Sequence, residues 1–323
     1  MPRLTARALN RATLDRQLLL RRADLTVPQA LERLAGLQAQ TPQTWYVGLW
    51  ARLAGYIPEP TSQLLADGTV VRMALMRSTI HLVTAADCRW LRPLVQPVIE
   101  RSTMGAFGRH LTGLNQAELA STARELLAVK PLTFSDLGRA LAQRWPDRDP
   151  AALAQAARAW VPLVQVPPRG LWRRSGPAAH SPIETWLGRA VDPDPSIDTL
   201  LLRYLAAFGP ATISDAQQWC GLTRLAEVID RLRPRLAAFR DEYGRELFDL
   251  ADAPRPDPDT PAPVRFLYDF DNLLLSHADR SRVVTVNYAD QGFGTPTSSR
   301  DPSWSTAASP PPGDIPSTAI PRR

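Results

Sequence analysis

Thr133–Ser175, TFSDLGRALAQRWPDRDPAALAQAARAWVPLVQVPPRGLWRRS, reads as helix, helix, strand, turn, strand. Thr133 is a capping residue placed ahead of Leu137, Ala140 and Leu141, which recur on one helical face. Asp149-Pro150 opens a second helix over Ala151–Trp160, because proline is tolerated in a first turn. The run VPLVQV then turns at Pro168-Arg169-Gly170 into a second strand. The plan recurs downstream. Ser196–Phe208 is a helix, Thr212 to Asp215 cap another near Ala216–Trp219, and Leu222–Phe239 supplies a third. EYGRELFDL closes that segment as a hairpin around Gly244. Helices followed by a two-stranded wing make the winged variant of the helix-turn-helix.

Upstream, a third copy is expected. Asn10 can cap a helix bearing Leu14, Leu18 and Leu19; another starts at Val27-Pro28 and runs through Leu37 until Thr41-Pro42 stops it. Gln43–Leu53 continues as helix, VVRMALMRSTIHLV (70–83) alternates like a hairpin, and residues 85–108 are helical. The expected fold is mainly α with small β-hairpins, an α+β protein of tandem winged-helix units at 1–110, 111–190 and 191–252. A Pro/Asp-rich linker follows at 253–263, then the start of an incomplete β-rich domain at 264–284. Residues 285–323, rich in Pro, Ser and Thr with no packable face, are expected to be disordered.

Charge is distributed unevenly. Of the 38 basic and 32 acidic residues, positions 1–239 hold 29 and 19, the surplus expected of a phosphate-binding surface. All but Lys130 of the basic residues are arginine, a bias that a GC-rich genome also produces. No apolar run approaches the roughly 20 residues of a membrane span, and Arg3, Arg7 and Arg11 interrupt any leader-like stretch. Cys88 and Cys220 are expected as buried thiols in a reducing cytoplasm. His81, His110, His180 and His277 are scattered, so neither metal nor cofactor is expected.

The chemistry centres on GLQAQTPQTWYVGLWARL. On a regular helix Gln38 and Gln40 point about 200° apart, but Thr41-Pro42 forces an extended exit, in which residues two apart face one way. Two carboxamides then share one small volume. An amide lacks useful basicity, so such a pair holds water rather than deprotonating it. That suffices where the leaving group departs readily, as an N7-alkylated purine does from a cationic sugar. The spacing alone also accommodates two glutamines that cap a helix end or touch phosphates.

GLQAQTPQTWYVGLWARL, VRMALMRSTIHLVTAAD and RFLYDFDNLLLSHADRSRVV together resemble the AlkZ/YcaQ family of winged-helix DNA glycosylases, over roughly residues 5–284. The resemblance implies a Gln-x-Gln catalytic motif at Gln38-Ala39-Gln40, a C-shaped molecule of tandem winged helices with a β-barrel, and double-stranded DNA as partner. It implies removal of N7-alkylated purines and, in some members, unhooking of interstrand crosslinks. A monomer in the cytoplasm, associated with DNA and not with membrane, is expected. After Val284 the chain departs from the β-rich continuation of the family, so the strands opening at 264–284 are expected to pack poorly. A winged-helix DNA-binding or regulatory protein without catalysis, or a truncated pseudoenzyme, remains the alternative.

Arg77 and His81, four apart on the expected hairpin, would share a strand face, with Arg77 meeting phosphate and His81 touching DNA or the catalytic region. A satisfied structural histidine is the competing reading. Arg169, Arg173 and Arg174 flank the second wing turn and suit phosphate contact, or a solvated basic loop. Trp160, Trp172, Trp186 and Trp219 read as core rather than stacking platforms. Asp269, Asp271, His277 and Asp279 read as salt-bridged structural residues rather than a metal cluster.

Overall fold

Side-chain oxygens fix where most helices of this chain begin, by accepting backbone N–H groups that lack an intrahelical partner. The computed structural model describes residues 1–284. In it Thr5 caps α1 (Ala6–Arg16), and Thr26 forms a capping box with Gln29 on α2 (Val27–Arg33). α3 (Trp45–Arg52) and α4 (Pro58–Ala66) follow, then α5 (Ala85–Leu94), capped by Thr84, and α6 (Gln96–Leu111). Asn115, Thr133 and Asp149 cap α7 (Gln116–Val129), α8 (Phe134–Ala142) and α9 (Pro150–Trp160). After the short α10 (Ile183–Leu187), Ser196 and Thr212 cap α11 (Ile197–Phe208) and α12 (Ile213–Cys220), with α13 (Leu225–Leu232) next. Asp271 caps α14 (Asn272–Leu275).

The strands form one sheet and one separate hairpin. β1 (Leu37–Gln38), β2 (Val70–Ala74), β3 (Ile80–Thr84), β4 (Leu132–Thr133), β5 (Leu163–Gln165) and β6 (Ala179–Pro182) lie in the order β1-β3-β2-β5-β6-β4. Every neighbouring pair is antiparallel. β7 (Leu236–Arg240) and β8 (Glu246–Leu250) make the hairpin expected around Gly244. The chain is thus α+β, and the Met73–Val164 register fuses the hairpins of its first two segments into a single sheet.

Because paired residues project to the same side of a sheet, Gln38, His81, Met73 and Val164 share one face, and Leu37, Leu82, Arg72 and Gln165 the other. One side packs on Leu31, Leu34, Trp45, Leu49 and Tyr268; the other on Leu91, Ile99, Tyr204, Phe208 and Trp219. A third core joins α7, α8 and α9 through Leu119, Leu137, Leu153 and Ala157. Trp219 is fully core, and Trp160, Trp172 and Trp186 pack against core clusters, as the sequence reading held. Cys88 and Cys220 are buried free thiols.

Five expectations need correction. The first helix starts after Thr5, not Asn10. The second stops at Arg33: Ala35 (φ 54°) and Gly36 (φ 82°) reverse the chain into β1. A Cβ on Gly36 would lie 2.7 Å from Val83 Cγ1, so the turn needs glycine both for its φ and for its closeness to β3. The partner of β5 is not the run after Gly170 but β6, thirteen residues on from Val166, because the intervening segment is held in a loop by side chains of α3 and α4. Residues 264–284 contain α14 and no strand. They do not pack poorly either: Tyr268, Asp271, Asn272, Leu273, Ser276 and His277 are all buried. Their apolar groups fill cores that already exist, so no new sheet is needed to hide them. The disorder expected of residues 285–323 lies outside the described residues.

Candidate active site on the edge strand

Gln38 and Gln40 occupy the outer edge of the sheet. Among the described residues β1 pairs only with β3, and the Ala39 N–H donates to the Ile80 carbonyl at 2.7 Å, which carries the pairing one residue past the strand. The backbone is thus paired through Gln38 and Ala39, entered from the turn at Ala35-Gly36 rather than from a helix end at Pro42, and Gln40 lies one residue beyond the pairing. Their settings differ. Gln38 is 4% exposed, whereas Gln40 is exposed. The Gln38 Oε1 accepts from Arg77 Nη2 at 2.7 Å, and the Gln40 Oε1 accepts from the Ile80 N–H at 3.1 Å. Each carbonyl oxygen keeps a second lone pair, and no described residue accepts from either amide NH2.

Arg77 does not sit on a strand beside His81. It lies in the turn Met76–Ser78, where Arg77 (φ 55°) and Ser78 (φ 62°) are both left-handed without glycine. This overturns the shared-strand-face expectation. The turn is clamped from outside: Arg77 Nη1 donates to the Trp219 carbonyl, and Arg158 donates to both the carbonyl and the hydroxyl of Ser78. Arg77 points its guanidinium inward at Gln38. Burial lowers its pKa to about 10, so it stays cationic at neutral pH.

His81 stands opposite Gln38 in register and is buried. Burial, reinforced by the Arg77 charge, lowers its pKa to about 3. It is a neutral imidazole whose Nδ1–H donates to the Thr79 carbonyl at 3.0 Å, since a carbonyl can only accept. A proton-transfer role near pH 7 is closed to it.

The basic loop comes to the same end of the sheet. Gln43, three residues beyond Gln40, donates from Nε2 to the carbonyls of Leu171 (2.7 Å) and Arg174 (3.1 Å) and accepts from the Arg173 N–H (3.3 Å). The Tyr46 hydroxyl donates to the Gly170 carbonyl at 2.9 Å, and the Trp172 N–H donates to Ser62 Oγ at 2.7 Å. Arg173 and Arg174 are exposed, with Arg173 over the Trp172 ring at 5.8 Å; Arg169 is half-buried and donates to the Gly176 carbonyl. Beneath them lies Arg72, which the sequence reading passed over. Its buried guanidinium donates to the Ala39 carbonyl at 2.7 Å, and its Nε and Nη1 have no partner among the described residues. Burial, then the Arg169 charge, lowers its pKa to about 10.

The sequence reading also missed what residues 265–277 do. The free edge of β1 is closed by side chains instead of a strand: the Gln38 N–H donates to Asn272 Oδ1 at 3.3 Å, and its carbonyl accepts from the Tyr268 hydroxyl at 2.8 Å. Asn272 Nδ2 donates to the Gly36 carbonyl at 2.7 Å. Asp271 pairs with Arg52 through two bonds of 2.8 and 2.7 Å, both side chains fully buried. Asp279 pairs with Arg245, and His277 Nε2 donates to the Phe208 carbonyl, so three of the four acidic/His residues are structural as expected. No group of three or more His, Cys, Asp or Glu among the described residues is placed to hold a metal ion. No described helix is long and apolar enough to cross a membrane. The signal that could have exposed the strap was the density of polar residues within YDFDN, too many for a strand with one wet face.

Two carboxamides at a sheet edge lie near an exposed arginine loop, and residues 31–298 match the family described as DNA glycosylase AlkZ-like. The chain belongs to that family. It is 25% identical over 306 residues to the interstrand DNA cross-link repair glycosylase of Streptomyces sahachiroi, covering 84% of this chain and 77% of the relative. The solved structure of the Streptomyces sahachiroi DNA glycosylase AlkZ superposes with a TM-score of 0.70 at 22% identity, over 85% of this chain and 78% of that one. That likeness establishes the shared fold.

Proposed function

We propose that this chain is a monofunctional DNA glycosylase that hydrolyses the N-glycosidic bond of N7-alkylated purines in double-stranded DNA. The observation that carries the reading is the hydrogen bonding of Gln38 and Gln40, two residues apart at the sheet edge. Each carbonyl oxygen is held by one protein donor and keeps a lone pair. A water there donates its protons to the amide oxygens and turns an oxygen lone pair toward C1′. As the C1′–N9 bond breaks, its electron pair goes to N9 and neutralises the alkylpurine. The water oxygen bonds to C1′, and its surplus proton is released to solvent. No base is required, in keeping with a neutral His81 and two amides.

In this reading Arg77 orients Gln38 rather than reaching outward, and His81 supports the strand. Arg169, Arg173 and Arg174 contact phosphates of the duplex, on which their register sets that of the glutamines. The helix-plus-hairpin segments act as winged-helix units arranged along the DNA, and the protein works as a monomer in the cytoplasm. The similarity to a relative named as an interstrand DNA cross-link repair glycosylase supports crosslinked DNA as a second substrate. Release of free 7-methylguanine from a duplex carrying that base, separated chromatographically, tests the proposal. Tight duplex binding with no free base would instead support a non-catalytic DNA-binding protein, a reading to which the 4% exposure of Gln38 lends weight.

A further inference from the structure

Asp269 is the one member of the late acidic segment that the ion-pair network does not absorb. It is exposed and forms no ion pair among the described residues, in a chain whose cations outnumber its anions. Two neutral hydroxyls hold it instead. Thr41 Oγ1 donates to its Oδ2 and Thr44 Oγ1 to its Oδ1, each at 2.5 Å. Thr41 follows Gln40 directly, and the Gln40 and Asp269 side chains are both exposed. Each carboxylate oxygen keeps lone-pair capacity beyond its threonine bond. An uncompensated anion costs affinity for phosphate, and its presence there calls for a compensating positive charge.

We infer that Asp269 is the electrostatic partner of the cationic deoxyribose that forms as the glycosidic bond breaks, an assignment that rests on the glycosylase reading above. The strap residues Tyr268 and Asn272 hold the backbone of Gln38, and the same strap sets Asp269 against the hydroxyl of Thr41, the residue that follows Gln40. Division of labour follows: the amides orient water, and the carboxylate favours the charge that develops on the sugar. No bond to Asp269 forms, and it need not accept a proton.

The test compares binding of two duplexes, one carrying a pyrrolidine sugar analogue that is cationic at neutral pH, the other the neutral tetrahydrofuran analogue. The wild-type chain is expected to prefer the cationic duplex by at least about tenfold, and Asp269→Asn to bring the two within about twofold, with tetrahydrofuran affinity equal to or above that of the wild type. The double variant Thr41→Val/Thr44→Val, which keeps the carboxylate but removes its braces, is expected to retain most of the preference. An unchanged ratio in Asp269→Asn, or the same loss in the threonine variant, overturns the assignment and leaves Asp269 a brace of the turn. Because the ratio is read without turnover, its failure is separable from a failure to release base.

Discussion

The Tyr268 hydroxyl lies 2.8 Å from the carbonyl oxygen of Gln38, two residues that are 230 positions apart in the chain. With Asn272 on the adjacent N–H, it replaces the neighbouring strand that β1 lacks. A two-residue edge strand has little hold of its own on the sheet, so the direction of the Gln38 side chain is set from the far end of the chain.

Tyr268→Phe keeps the ring against Gly48 and deletes only that hydrogen bond. Stripping a buried carbonyl of its partner costs about 1–3 kcal/mol. A fall in kcat for base release on the order of tenfold is expected, with duplex affinity preserved. Single-turnover rates alongside fluorescence binding would check it; a lowered melting temperature with an unchanged rate would show that the bond serves the fold alone.

The Arg52–Asp271 pair anchors the strap beneath α3, where both side chains are fully buried. Asp271→Ala strands a guanidinium without its anion, and destabilisation of roughly 3–5 kcal/mol is expected. Urea titration measures this. A loss below 1 kcal/mol would mean that the strap is held by its apolar contacts.

These two tests address the part of the fold that the sequence concealed. Caps and periodicity were local, and so legible: Thr133, Asp149, Ser196 and Thr212 begin helices where capping chemistry requires. The first hairpin and the one around Gly244 were legible through alternation and a turn residue. Long-range pairing was not. Nothing local shows that β5 skips its nearest partner for β6, or that Arg52 and Asp271 meet. The glutamine pair was singled out through Pro42, but the extended backbone there comes from the turn at Ala35-Gly36, and the inward turn of Arg77 depends on a left-handed backbone that sequence does not disclose.

The arginine loop makes its own prediction. Arg173→Gln and Arg174→Gln each remove one phosphate contact, which lowers the slope of log affinity against log salt by about 0.9. Binding titrations between low and moderate salt measure it for several duplex sequences. An unchanged slope would return both residues to the status of a solvated loop.

Stability should fall in mild acid. Burial, with charge from Arg77, Arg158 and Arg282 respectively, lowers His81, His180 and His277 to about 3, against an ordinary 6.5. The unfolded chain therefore takes up protons first. The stabilisation is whole above pH 6.5 and is lost as pH falls from there toward 3, at up to about 1.4 kcal/mol per pH unit for each imidazole. Urea midpoints at pH 7.5 and 5 would reveal the decline, and a midpoint that rises on acidification would contradict it. The base-release rate, by contrast, should show no imidazole limb between pH 6 and 8.

The most direct test replaces each amide in turn and follows 7-methylguanine release under single-turnover conditions, with duplex affinity measured on the same preparations. Gln38→Ala and Gln40→Ala should each slow release on the order of 100-fold while binding stays within about twofold, because neither residue is assigned to holding DNA. If Gln40→Ala releases base at the wild-type rate, the water is not held by this pair and the account fails.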